Sequence, residues 1–544
     1  GQMIRSIFLF FRTIYFLRPV QILYRLFRLM PRGKIKTTSV PMLRCPVARL
    51  MPGIPKPQSK LGPRKFKFLN YIDDISAKNH WSCVGNGLLW RYNLHYFDWL
   101  NADGSGKRLR SNCEFLDLWL STQSAGASVS WDPYPTSLRI VNWIKYHNAV
   151  DSLNEEAIAS MFMQARWLEK NIEFHLLANH LFANAKALVA AGCFFEGEAA
   201  TRWLEKGLAI LKKELSEQVL DDGGHFELSP MYHSIILEDI LDLIALTDAY
   251  QLPSLIELRE QLSSTATKMF SWLFVMSHPD RRISFFNDAA FGIAPELKEL
   301  KKYAAKLGVK IKRETSAPIK ELPASGYYRL EYGPCTLIAD AAAIGPRYAP
   351  GHGHADCLSF EMSFDKFRVF VNGGTSTYSR SQRRIKERST AYHNTVEIAC
   401  ESSSEIWSAF RVGRRASPTV HELRHGNDEI YMVASHDGYR KLRGKPTHTR
   451  TWCCHKNRIV IKDHISSTDH AARVHYILHP TIKVFEVASG VFDFFLPDNS
   501  LISFSLPGGQ VQEGVYAPEF GKNVRTKLIV ASFQSENLNA TISW

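Results

Sequence analysis

The chain has 544 residues and a mass of 61.9 kDa, roughly twice the size at which a single hydrophobic core stops growing, so at least two domains are expected and a peptide hormone or lone binding module is excluded. Apolar residues make up 45% and charged residues 22%, the balance of a globular protein. The formal charge of +14 belongs to one end: residues 1–72 hold 15 Lys and Arg and no acid, leaving 52 basic against 53 acidic residues after Ile72. A body without net positive charge argues against nucleic acid as a partner.

Gly1-Gln2 reads as a remnant ahead of a native start at Met3. From Ile4 to Met30 the chain is apolar but broken by Arg5, Arg12, Arg18, Arg25, Arg28 and Pro19. That leaves far fewer than the ~20 uninterrupted apolar residues of a spanning helix, and no cleavable signal peptide is expected. Two readings stand side by side: residues 3–30 lie in an anionic membrane interface, or they form an arm docked on the protein's own body. Either way the chain is expected in the cytoplasm or peripheral to the inner membrane, with the periplasm left open. Residues 31–63 contain seven prolines and read as an extended linker or wrapping strap, so residues 1–70 form an arm and strap.

Over residues 71–315, apolar side chains recur at three-to-four spacing, as in Leu176 through Val189 and Ile235 through Ala249, predicting antiparallel helical hairpins in a bundle or closed ring. Over residues 320–544 the period becomes two, as in Leu358 through Phe364 and Arg458 through Ile461, predicting an antiparallel β-sandwich. A cleft between the two domains is the default ligand site. Nine cysteines, with no CxxC pair, read as mostly buried thiols.

Three polar clusters interrupt this scaffold. His175 through His180, with Asn184 beyond, lies in an otherwise apolar helix; Asn179 and His180 unpaired in a dry core would cost roughly 1–3 kcal/mol each. Asp221 through His233 gathers acids, His225, Glu227 and Tyr232 on a glycine turn that feeds a helix. Gly351-His352-Gly353-His354-Ala355-Asp356 precedes a strand, and Tyr392-His393-Asn394-Thr395 follows some forty residues on; paired imidazoles on an extended segment suit a metal or proton transfer. Between them Arg380, Arg383, Arg384, Lys386 and Arg388 form either a solvated face or a set of forks for substrate carboxylates.

Together, Asn179-His180, the stretch from Asp222-Gly223 to Tyr232, and His352 through Asp356 with His393-Asn394-Thr395 resemble the heparinase II/III-like polysaccharide lyases, over about residues 80–480. The resemblance implies an incomplete (α/α) toroid followed by an antiparallel β-sandwich, and β-elimination of uronic-acid polysaccharides. Abstraction of a poorly acidic C5 proton first requires neutralisation of the neighbouring carboxylate. By similarity that falls to Asn179 and His180. Tyr232 carries the proton, its pKa lowered by neighbouring cations, and His352 is a second base on the opposite face of the sugar. Arg91, Asn93, Arg139, His225, Glu227, Arg384 and Arg388 are candidate substrate contacts, with His95, Trp131, Tyr134 and Trp143 as candidate sugar stackers.

No cofactor is required for this chemistry. Relatives with a structural divalent metal such as zinc hold it by residues that correspond to His354, Asn372 and His393. Asn372 stands where an Asp is expected, and an amide is a weak zinc ligand. His354 and His393 are then expected to pair with Asp356 or Asn394 instead. Two other functions compete: a glycoside hydrolase using Asp222 and Glu227 as a carboxylate pair, and a non-catalytic glycan-binding or assembly protein with a decayed site. The substrate expected of the leading reading is an acidic polysaccharide.

Overall fold

A computed structural model describes residues 2–30, 35, 39–75, 81, 87–151, 153–426 and 428–544; Pro31 of the strap and Cys83 lie outside them. Two short helices, α1 (Gln2–Ile14) and α2 (Pro19–Phe27), open the chain. The helical region then runs through α3 (Gly87–Tyr96), α4 (Leu109–Thr122), α5 (Pro133–Val150), α6 (Glu155–Lys170), α7 (Ala178–Phe194), α8 (Glu198–Gln218), α9 (Pro230–Tyr250), α10 (Pro253–Val275) and α11 (Leu297–Lys306).

Burial sorts these helices into two layers. α7 and α9 are buried on nearly every side and pack on each other, as helices that are apolar all round must be. α8 and α10 pair with them as antiparallel hairpins and bury one stripe only, in α8 Trp203, Leu208, Leu211 and Leu215. Pro230 and Pro253 start α9 and α10, where the missing N–H costs nothing.

From Ile319 onward the chain is antiparallel sheet. A five-stranded meander spans Ile319–Phe370, an eight-stranded sheet runs from Pro418–Gly426 at one edge to Lys483–Ala488 at the other, and a four-stranded sheet contains Val396–Ile398, Ala472–Ile477, Gln510–Glu519 and Lys522–Ser532. One short helix, α12 (Gln382–Arg388), interrupts them. Each domain has its own core, and two smaller apolar clusters join them: Met231, Tyr232 and Phe285 with Val371, Tyr516 and Phe520, and Leu228, Trp272 and Phe286 with Tyr327 and Ile338. The start of α9 is thus fixed against both domains. Among the described residues, Cys193, Cys335, Cys357, Cys453 and Cys454 are buried.

The arm is docked on the body, at both domains. Arg12 pairs with Glu405 at 3.0 Å, Arg18 with Glu217 while its guanidinium lies 3.8 Å over Tyr348, and Trp407 Nε1 donates to Thr13 Oγ1 at 3.0 Å. The strap is part of the helical core. Leu50 and Ile54 are buried in it, Arg44 N donates to Phe194 O, Val47 N and Ala48 N donate to Ala249 O, and Lys56 Nζ reaches Glu238 at 2.7 Å. Prolines cannot join a ladder, so this segment satisfies its backbone against helix ends instead.

Candidate active site

Between the domains lies a cleft of about 1530 Å³, lined among others by Asn179, His180, Glu227, Tyr232, His352 and Tyr378. The turn before α7 is tight: Leu177 and Ala178 have φ of +63° and +51°, which brings Asn179 and His180 out at the helix start. Asn179 Nδ2 donates to both oxygens of Glu227, at 2.9 and 3.1 Å. His180 Nδ1 faces Glu173 Oε1 at 3.1 Å, and Asn184 holds the other Glu173 oxygen at 3.0 Å. Burial works against a charge on His180, but the Glu173 carboxylate and its hydrogen bond prevail and raise its pKa. The His180 ring lies against Tyr134, centroids 4.4 Å apart and planes tilted by 34°.

The second wall is built around a residue the motifs do not contain. Asp288 is fully buried, and its Oδ2 accepts from His352 Nδ1 at 2.8 Å while its Oδ1 faces His354 Nε2 at 2.8 Å. Arg384 grips both oxygens. Burial opposes the carboxylate charge, yet Arg384 and the two histidine hydrogen bonds hold its pKa well below the usual range. The preceding Asn287, at φ +59°, accepts from His354 N and donates to Leu228 O, tying the loop to the turn before α9. Gly353 is required between the histidines: a Cβ there would lie 2.2 Å from Ile344 O.

Tyr232, in the first turn of α9, lies against His352 with ring centroids 4.1 Å apart and planes tilted by 31°, and its hydroxyl is 2.9 Å from that of Tyr378. No sugar fits between rings in contact, so Tyr232 and His352 form one wall of the cleft and do not take opposite faces of a sugar. Nor do cations lower the Tyr232 pKa. Burial raises it well above 10, with Tyr378, Tyr134 and Asp288 adding to the effect. The resting group is a phenol, fit to give a proton.

Several expected contacts are spent elsewhere. Arg139 is fully buried, its guanidinium donating to Gln164, Thr136 and the carbonyls of His95 and Ser130. Arg388 is buried against the carbonyls of Gly353, Ser408 and Ala409. Arg384, held by Asp288 and lying between the rings of Tyr378 and Phe410, has no fork left for a substrate. His225 is buried on Gln218, and Arg91 has a buried Nε without an acceptor and does not line the cleft. Asn93 lines the cleft but donates to Leu89 O within its own helix. Of the proposed stackers Tyr134 faces the cleft, whereas His95, Trp131 and Trp143 are core. Asp222 accepts from Ser325 N and Oγ, outside the cleft, so it makes no hydrolytic pair with Glu227.

The residues expected at a metal are arranged differently from that expectation. His354 Nδ1 lies 3.1 Å from His393 Nε2, and His393 Nδ1 faces Ser389 O at 2.7 Å. Asp356 and Asn394 are not their partners: Asn394 holds Phe360 O and Val371 O. Asn372 Nδ2 donates to Phe285 O, while its buried Oδ1 has no partner. No group of three His, Cys, Asp or Glu among the described residues suits a metal. Two imidazoles and a neutral amide lack the anionic ligand of a structural zinc set, so the donor set does not fit zinc and no step is assigned to a metal.

Sequence profiles carry the comparison further. The heparinase II/III N-terminus matches residues 94–307, and the heparinase II/III-like C-terminal domain matches residues 314–544. The chain belongs to the heparinase II/III-like family. Among the family's curated members, heparin-sulfate lyase of Bacteroides stercoris is 25% identical over 434 residues, 68% of this chain and 63% of its own. Heparin-sulfate lyase of Pedobacter heparinus is 24% identical over 375 residues, 61% of this chain and 55% of its own. The chain thus spans less than two thirds of the length of these relatives. In fold it is similar to heparinase III (TM-score 0.67, 18% identity, covering 84% of this chain and 76% of that one) and to a heparan sulfate lyase mutant from Pedobacter heparinus (TM-score 0.58, 17% identity, 88% and 81%). The family fold is a helical toroid followed by antiparallel sheets, as observed here.

Proposed function

We propose that this chain is a polysaccharide lyase that cleaves a uronic-acid-containing acidic polysaccharide by β-elimination. The observation that carries the reading is the contact of Tyr232 with an Asp288-oriented His352, in the same cleft as Asn179 and His180. Family membership and the heparin-sulfate lyase relatives support it.

The geometry supports the following roles. His180, its charged form favoured by Glu173, and Asn179, its Nδ2 turning from Glu227 to the substrate, neutralise the uronate carboxylate, making the C5 proton removable. With its Nδ1–H given to Asp288, His352 presents the Nε2 lone pair as the base. The C5–H electron pair becomes the C4–C5 double bond as the C4–O4 bond breaks, and the Tyr232 phenol protonates the leaving O4. The imidazolium and the phenolate then lie in contact, and the proton returns from one to the other. Product analysis on a panel of acidic polysaccharides tests the reading. An unsaturated, ultraviolet-absorbing uronate is expected; a saturated reducing end would indicate a hydrolase, and no product a binding protein.

A further inference from the structure

The docked arm leaves an unusual surface on its outer side. Phe8, Phe11, Tyr15, Leu23, Phe27 and Leu29 all stand more than 40% exposed, Leu29 at 82%, a concentration of bare large apolar side chains of the kind that marks an interaction site. No single helix in the described residues is long and apolar enough to cross a membrane; Ile7–Ile14 and Pro19–Phe27 reach that length and composition only together, and they are bent by 113° at their break. An α-helix of 13 residues is roughly 20 Å long, against a hydrocarbon core of about 30 Å.

Beside α1 runs a groove of about 600 Å³, walled by Phe11, Tyr15 and Phe16 of the arm and by Arg347, Arg414 and Arg415 of the sheet domain. The Arg415 guanidinium lies 3.8 Å from the Phe16 ring, and that of Arg347 lies 5.3 Å away. Two further arginines at the rim, Arg12 and Arg440, are paired with Glu405 and Asp437. Arg347, Arg414 and Arg415 form no ion pair among the described residues, no acid lines the groove, and Arg415 Nε is buried without an acceptor. Arg415 Nη1 donates to Arg347 O at 2.6 Å; three arginines without an ion pair along one groove supply the kind of donors that a phosphate takes.

The neighbouring surface decides which phosphate. We propose that the groove and the exposed faces of α1 and α2 together dock the chain on an anionic phospholipid bilayer. The headgroup phosphate lies among Arg347, Arg414 and Arg415, and Phe11 and Tyr15 enter the acyl boundary. The arm itself carries Arg5, Arg12, Arg18, Arg25 and Arg28 and no acid, a charge of the sign that complements such a surface. The consequence reaches the active site. Phe16, Arg347 and Arg415 also line the cleft, so docking brings the cleft mouth to the bilayer.

The test is cosedimentation of the full chain with phosphatidylglycerol–phosphatidylcholine vesicles, against phosphatidylcholine alone. Expected are binding to the anionic vesicles only, weakening with salt, a roughly tenfold loss for Arg414→Glu, and a comparable loss for Phe11→Ser with Tyr15→Ser. Unchanged melting temperatures would show that these exposed or half-exposed changes leave the fold intact. Absence of anionic-vesicle binding, or wild-type binding by both variants, overturns the proposal. So does a wild-type dimer in light scattering that the Phe11→Ser, Tyr15→Ser variant dissociates while vesicles do not, since a second copy would then cover the face. Loss of vesicle binding in inorganic phosphate at matched ionic strength would assign the groove to the free ion instead.

Discussion

His352 gives its Nδ1 hydrogen to Asp288 Oδ2 at 2.8 Å, and that bond fixes which nitrogen faces the cleft. A neutral imidazole has one N–H and one lone pair, so anchoring Nδ1–H leaves Nε2 as the acceptor. Asp288→Asn removes the charge and lets the amide present either end to the ring. Turnover should fall by about 10²–10⁴ with KM little changed, since the carboxylate-neutralising side of the cleft is untouched. Because Arg384 would lose its buried partner, a stability loss of roughly 3–5 kcal/mol should accompany it. The kcat and KM of the fraction that remains folded decide the matter: turnover within a few-fold of wild type would remove Asp288 from the mechanism.

The two proton carriers should separate by substitution. Tyr232→Phe keeps the ring on His352 and deletes the hydroxyl alone, so the melting temperature should hardly move while kcat falls about 10²–10⁴. Tyr378→Phe removes only the hydroxyl partner of Tyr232; its effect on kcat should be smaller than tenfold. Equal losses for the two would mean that the pair acts as one relay, and full activity of Tyr232→Phe would leave the leaving oxygen to another acid.

The polar clusters that hold Asn179, His180, Tyr232 and His352 were legible against an apolar background, and the family resemblance singled these four out of them; all four line one cleft. The helix-then-strand order was legible for a similar reason, as a change of period. Asp288 was not. It lies 64 residues from His352 on an irregular loop, and the sole signal was an Asn-Asp pair after Phe285-Phe286. Charge patterns also misled. Arg384 and Arg388 read either as a solvated face or as substrate forks, and Arg139 as a substrate contact by resemblance, but a sequence does not show that a guanidinium is wholly buried and already satisfied by carbonyls or by Asp288. The strap misled in turn, because proline-rich composition marks extended backbone and says nothing of whether that backbone is packed.

Acid should destabilise the fold through two buried histidines. Burial holds His225 at about 4 and His233 at about 3, against about 6.5 when unfolded. Between these values the unfolded chain binds the protons, so stability falls as pH drops below about 6.5 and levels off near the folded pKa values. At pH 5 each group should cost about 2 kcal/mol relative to pH 8. Thermal melts across that range check this; an unchanged melting temperature from pH 8 to pH 5 would mean that neither histidine is neutral in the fold.

Truncation separates the arm from the strap. Removing residues 3–28 deletes surface ion pairs such as Arg12–Glu405 and Arg18–Glu217, whose side chains are partly exposed, and exposed pairs contribute about 0–1 kcal/mol each. The remaining body should fold and melt within a few degrees of the full chain. Removing residues 3–62 is a different change. It takes Leu50 and Ile54 out of the helical core, at about 1.5–3 kcal/mol each, and leaves Phe194 O and Ala249 O without their strap donors. It also strands the buried Glu238 carboxylate without Lys56, which belongs to the larger class of penalties for an unpaired buried charge. The sum approaches the whole stability of an ordinary domain, about 5–15 kcal/mol, so the longer truncation should be insoluble or unfolded by circular dichroism. A cooperative melt of the 63–544 fragment near the wild-type temperature would show instead that the strap only lies on the body.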